Sequence, residues 1–378
     1  MSLQGGPLHI PELLDLILSF VHAPRDLRRC ALVNRSCAHP AQSRLFSSLD
    51  LRRNSQCDAL SAIFATSPHL AGFVTTLVIS AQEDLSFALR QLLAVSFPFL
   101  TTIRFVADIN VVPVYVVDLD VMRSFLGIPT LISVTVETPF KSWDEMGRIW
   151  NGCSPNIKHL SYDLMFTVAP SFTPSLSGSM EMSRRIKLDS LNSKAFSKDS
   201  APWRHDPGCP FDVSGLKAFG FHFGMTKELV DVLSPSLDTI KILSLDAYSA
   251  NDRQVSRFRA VTQLNIRHYQ TEGSRSFNAI RVMHPDVRNR ISAIRFQVYF
   301  SGEHDLLSLD AELGKVHEYF PRLQTVVINL HPSKLGTEEF KEEFKQDVRA
   351  YRWNPDPGIT VRCNFESERS IPWHTEIV

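Results

Sequence analysis

An apolar phrase, φ-x-x-φ-x-φ, recurs along this chain and constrains its fold more than any other feature. It begins at Phe46, Val74, Leu100, Leu131, Ile157, Leu216, Leu237, Val261, Ile291 and Leu323, with steps of 28, 26, 31, 26, 59, 21, 24, 30 and 32 residues. Its alternating end reads as a short strand with one face buried. In a chain that is 44% hydrophobic the phrase alone is common by chance, so its flanks matter more. A proline stands two positions ahead of it at Pro98, Pro129, Pro155, Pro235 and Pro321. SPSLDTIKIL (234–243) and FPRLQTVVIN (320–329) are near copies, as are FPFLTTIRF and SPNIKHLSY. Recurrence at this period predicts stacked units that bury their apolar face only against neighbours.

Segments with helical spacing precede the phrases, at 84–95, 121–126, 143–150, 227–233, 277–283 and 306–320. The unit is therefore helix, proline turn, short strand. The 59-residue step hides a worn unit or an insertion, and Ile186 with Leu188 is the candidate strand within it. Stretches rich in Ser, Pro and Gly at 169–179 and 198–210 read as exposed loops. Beyond Leu330 the pattern changes to a charged helix over 338–351, then a strand alternating Ile359, Val361, Cys363 and Phe365. This reads as a polar C-terminal cap.

Ahead of the repeat lies a different segment. Ile10, Leu13, Leu14, Ile17, Leu18 and Val21 share one helix face. Pro11 suits the first turn, and Pro24 forces a break near residues 22–24. Leu27, Cys30, Ala31 and Val33 form a second apolar stripe amid Arg25, Arg28, Arg29 and Arg35. Pro40 can start a third helix whose contacts are Ala41, Leu45 and Phe46. So short a segment cannot bury all these groups within itself. The surplus must meet the rest of the chain or a second protein.

Ile10-Pro11-Glu12-Leu13-Leu14, Ile17, Leu27, Cys30-Ala31-Leu32-Val33, Arg35-Ser36 and Leu45-Phe46 together resemble an F-box. That three-helix module hooks proteins onto the Skp-family adaptor of cullin–RING ubiquitin ligases. The segment departs from the family at Cys37, where many members carry a large Trp anchor, and at Asn34, where many carry Cys. The repeat region resembles the leucine-rich repeats that commonly follow an F-box. It lacks that family's Asn or Cys after the last strand residue, and Ile, Val or Phe often replaces Leu. The resemblance implies an α/β fold class: residues 1–46 as the F-box-like helical module, 47–330 as an irregular leucine-rich-repeat-like solenoid (horseshoe) with an insertion near 167–213, and 331–378 as the cap. An ordinary α/β fold of alternating helices and strands is the competing architecture.

Composition narrows the function. Forty basic residues balance forty acidic ones, so no cationic excess exists to neutralise nucleic-acid phosphates. The most apolar run, 111–121, is interrupted by Pro113, Asp118 and Asp120 and falls short of a membrane span. The N-terminus shows no secretory pattern. Cys30, Cys37, Cys57, Cys153, Cys209 and Cys363 are scattered without metal-ligand spacing. A soluble protein of a reducing compartment, cytoplasmic or nuclear, is expected.

No catalytic constellation emerges. Asp118-Leu119-Asp120 suits a helix start better than a cation site, and His222 reads as a strand-end residue. No metal, cofactor or catalytic residue is assigned. The resemblance implies a non-catalytic substrate receptor of a Skp–cullin–F-box (SCF) ubiquitin ligase. Its adaptor-binding set would be Ile10, Pro11, Leu13, Leu14, Ile17, Leu18, Leu27, Cys30 and Val33. Its partners would be the Skp-family adaptor, through it cullin and RING subunits, and a target protein held by the repeats. The rivals are a scaffold that does not direct ubiquitin transfer and an enzyme whose site lies in the central loops.

Overall fold

The computed structural model describes residues 11–21, 23–107, 117–138, 140, 148–150, 152–163, 185–193, 211–221, 227–246, 253–268, 283–300, 314–332 and 358–365. The chain divides into two compact units, Met1–Ile186 and Lys187–Val378. The expected helices at 143–150, 277–283 and 338–351 and the loops at 169–179 and 198–210 lie wholly or largely outside the described residues.

The first unit begins with three helices, α1 (Pro11–Ser19), α2 (Pro24–Val33) and α3 (Arg35–Ser47). Pro24 occupies the first turn of α2, where a missing N–H costs nothing. Asn34 in extended conformation ends α2, and its side chain then caps α3 by accepting from the Cys37 amide at 2.8 Å. This cap corrects the expected start of the third helix: α3 opens at Arg35 and carries Pro40 inside it. Leu14 and Leu18 of α1, Leu27 of α2, and Cys37 and Ala41 of α3 form one buried cluster.

Five parallel strands follow: β1 (Ser48–Leu51), β2 (Thr76–Ala81), β3 (Thr102–Ala107), β4 (Ser133–Glu137) and β5 (His159–Asp163). They pair in sequence order, β1 to β2 through to β4 to β5. The apolar phrase sets their register. Leu49, Leu77, Ile103, Val134 and Leu160 are aligned partners, and so are Leu51, Ile79, Phe105, Val136 and Tyr162. Both rows are buried. Helices α4 (Asn54–Thr66), α5 (Ser86–Leu92) and α6 (Leu119–Leu126) lie between the strands. The last buries Val121, Met122, Phe125 and Leu126, with the Phe125 ring 6.4 Å from that of Phe105. Asp118 caps α6, its carboxylate accepting from the Asp120 amide at 2.9 Å and the Val121 amide at 3.2 Å. The Asp-x-Asp pair is thus a helix start.

The second unit pairs seven parallel strands, again in chain order: β6 (Ser190–Ser193), β7 (Ala218–Phe221), β8 (Ile242–Asp246), β9 (Gln263–His268), β10 (Ala293–Phe300), β11 (Thr325–Pro332) and β12 (Thr360–Phe365). Leu191, Phe219, Leu243, Leu264, Ile294 and Val326 form one buried row across it. The expected C-terminal strand is β12, paired with β11. Short helices α7 (Lys227–Val232), α8 (Pro285–Arg288) and α9 (Val316–Tyr319) intervene.

Two details of the repeat reading are corrected. The phrase at Leu237 is displaced by three residues: Ile240, Leu243 and Leu245 occupy the buried positions, while Pro235 sits in a single 3-10 turn, Ser234–Ser236. Ile186 does lie in a strand, the two-residue Ile186–Lys187, but the strand of the long step that joins the parallel ladder is Ser190–Ser193. Leu188 is the buried residue that leads into it.

The fold class itself is also corrected. A leucine-rich-repeat-like horseshoe requires uniform, helix-backed units, and the described residues form open, all-parallel α/β sheets instead. Strands reach eight residues in unbroken register, whereas the intervening segments range from thirteen-residue α4 to four-residue α8 and α9 and isolated 3-10 turns. Val, Ile and Phe in place of Leu favour extended pairing.

Candidate functional site

The three N-terminal helices carry more apolar surface than their own core consumes. Leu14, Leu18, Leu27, Cys37 and Ala41 fill that core, and Val21, Cys30, Ala31 and Leu45 pack on it. Left in water are Leu16 at 55% exposure, Ile17 at 43%, Phe20 at 74%, Leu32 at 87% and Val33 at 71%. Leu16, Ile17 and Phe20 lie on α1 and at its end, where i and i+4 positions are neighbours. Leu32 and Val33 are the last residues of α2. Fully burying one such side chain is worth about 1.5–3 kcal/mol, so five of them make a strong drive toward association.

The surroundings are charged. Arg25, Asp26, Arg28, Arg29 and Arg35 are all exposed, with Arg29 and Asp26 paired at 3.4 Å. Arg44 of α3 donates to the backbone carbonyl of Asp15 at 3.3 Å, tying α3 to α1. Exposed apolar side chains with polar groups around them are the usual anatomy of a protein-docking surface.

The expected adaptor-binding residues divide on this geometry. Ile17 and Val33 are exposed, Leu13 and Cys30 are half-buried, and Leu14, Leu18 and Leu27 serve the module's own core. Pro11 stands in the first turn of α1, and Ile10 lies outside the described residues. Leu16 and Phe20 were not anticipated, and Leu32 was matched to the motif without being placed among the adaptor-binding residues. The signal for them was available, because α1 is apolar around most of its circumference, and such a helix must be covered on more than one side.

Three ionisable groups among the described residues depart from their ordinary values. Burial pushes the Cys57 thiol up to about 11, with nearby Asp58 adding to it, and burial alone pushes Cys153 to about 11. Hydrogen bonds from the Ser86 hydroxyl and amide hold the Asp84 carboxyl below its ordinary value. Among the described residues no three His, Cys, Asp or Glu side chains converge to hold a metal. No helix among them is long and apolar enough to cross a membrane. His222 and the central loops lie outside the described residues. Neither a protein-family model nor a curated protein matches this chain.

Proposed function

We propose that this chain is the substrate-receptor subunit of a Skp–cullin–F-box ubiquitin ligase, working in the cytoplasm or nucleus. One observation carries the reading. The helical module has a complete core of its own, yet it leaves Leu16, Ile17, Phe20, Leu32 and Val33 in water. On this reading a Skp-family adaptor covers those side chains and brings the cullin and RING subunits with it. The parallel-sheet units hold a target protein. The chain contributes position rather than bond chemistry, raising the effective concentration of target beside the ubiquitin-conjugating enzyme.

Co-expression with a Skp-family adaptor tests this. The wild-type chain is expected to co-purify with it. Phe20→Asp with Leu32→Asp removes two exposed anchors and should weaken adaptor binding by roughly 150-fold or more, taking about 1.5 kcal/mol or more for each side chain. The thermal midpoint should stay within about 1 °C, because surface changes of this kind rarely disturb folding. Undiminished adaptor recovery by the double variant would sink the assignment.

Cys37 favours a second reading, a scaffold that binds such an adaptor without directing ubiquitin transfer. It is 7% exposed and spent on the core, so it offers nothing where a Trp would anchor the adaptor. Reconstituted ligase with target ubiquitination as readout separates the two.

A further inference from the structure

A groove of ≈ 820 Å³ in the first unit crosses the turns that lead into β2, β3, β4 and β5. Its floor is a row of residues that each stand just ahead of a strand: Thr75, Thr101, Ile132 and Lys158. Backbone bonds lock the row. The Thr101 amide donates to the Thr75 carbonyl at 3.0 Å, the Ile132 amide to the Thr101 carbonyl at 2.9 Å, and the Lys158 amide to the Ile132 carbonyl at 2.8 Å. Side chains brace the turns as well: Thr130 donates to the Leu100 carbonyl at 2.6 Å and Asn156 to the Pro129 carbonyl at 2.8 Å.

The groove is therefore preformed, and its lining is mostly apolar. Phe73 is held edge-on by His39 at 5.0 Å. Phe99 is 61% exposed and Ile132 is 39% exposed. Lys158, itself exposed, is the one ionisable side chain among the described residues lining it. Among the described residues no acid lines the groove to neutralise it.

We infer that this groove binds a short extended peptide of a partner protein, with a bulky apolar residue seated on Phe99 and Ile132 and an acidic residue at Lys158. The spacing follows from the sheet. The floor spans three strand intervals of about 4.8 Å, some 14 Å in all, which an extended chain covers in about four residues. Phe99 and Lys158 belong to turns two strands apart, so the apolar and acidic residues should stand about three positions apart. The Lys158 cation selects a carboxylate over a basic or neutral peptide. The inference is independent of the adaptor reading, because Leu16, Phe20 and Leu32 take no part in the groove.

The test is selection of phage-displayed random heptapeptides on the full-length protein without any adaptor, followed by fluorescence anisotropy of the enriched peptide. Enriched sequences should pair a bulky apolar residue with Asp or Glu about three positions away. Binding should fall at least tenfold with Phe99→Ser and, separately, with Lys158→Glu. Both residues are exposed, and circular dichroism checks that each variant is folded. Failure to enrich, enriched peptides lacking an acid, or undiminished binding to either variant overturns the proposal. So does Phe99-dependent self-association in light scattering, which would make a second copy of the chain the occupant.

Discussion

Gly220→Ala should destabilise the second unit, although alanine is the better residue for a strand. Gly220 lies in β7, flanked in register by Asn192 of β6 and Ser244 of β8. A Cβ added there would stand 2.6 Å from Asn192 Oδ1, 3.2 Å from Asn192 Cγ and 3.2 Å from Ser244 Cβ. Ordinary carbon contacts lie at about 3.5–4.0 Å. Asn192 can rotate its amide away, but Ser244 Cβ is fixed to the backbone and yields only if β8 shifts. Overpacking of this kind costs about 1–3 kcal/mol. Replacing a strand glycine returns about 0.5–1 kcal/mol, which leaves a net loss of about 1–2 kcal/mol. For a unit of this size that lowers the thermal midpoint by roughly 2–8 °C. Calorimetry of the full-length protein reads the shift. Asn192→Ala in the Gly220→Ala background removes the closest clash and should recover about half the loss, a positive coupling in the double-mutant cycle. A midpoint for Gly220→Ala at or above wild type, or strictly additive effects, would refute the packing argument.

Two further outcomes follow from buried groups. Ser193 is 1% exposed, and its hydroxyl has no hydrogen-bond partner among the described residues, so Ser193→Ala should stabilise by about 1 kcal/mol in urea unfolding; a loss of stability would mean that the hydroxyl is satisfied. Cys57 and Cys153, both pushed up to about 11 from an ordinary 9.0, should resist iodoacetamide at pH 8, where only about 0.1% of each is thiolate. Their contribution to stability is complete below pH 9 and is lost as pH rises toward 11, because the unfolded thiols ionise first. Peptide mapping after alkylation and urea midpoints from pH 8 to 11 check both statements.

The strands were legible because their signal is local. Alternation at Leu77 and Ile79, Ile103 and Phe105, or Leu264 and Ile266 marks a strand wherever one face is buried, and every one of these residues is. Where two overlapping phrases compete, the local signal misleads. Leu237-x-x-Ile240-x-Ile242 and Ile240-x-x-Leu243-x-Leu245 are equally good on paper, and Pro235 favours the first. Pairing with Phe219 and Phe221 on β7 decides for the second. Ser193 was illegible for the opposite reason: it holds an inward position with a polar side chain. Gly220 carried no hint of its role, since the need for a bare backbone arises from Asn192 and Ser244 on neighbouring strands.

The docking surface was half legible, and the missing half follows from what a periodic stripe measures. A run at i, i+3, i+4 and i+7 identifies the face a helix must bury, and on α1 that face is Leu14 and Leu18, spent on α2 and α3. A partner can use only what remains after internal packing: Ile17 and Val33 at the edges of the stripes, and Leu16, Phe20 and Leu32 off them. Leu16 and Phe20 are one helical turn apart on the side of α1 that the core leaves open, and Leu32 and Val33 end α2 with exposures of 87% and 71%. The useful question for a short helical module is therefore how many apolar side chains exceed its interior. Here the excess is five large ones on a segment whose own core is already closed, and it is this excess, more than any single motif residue, that a partner has to account for.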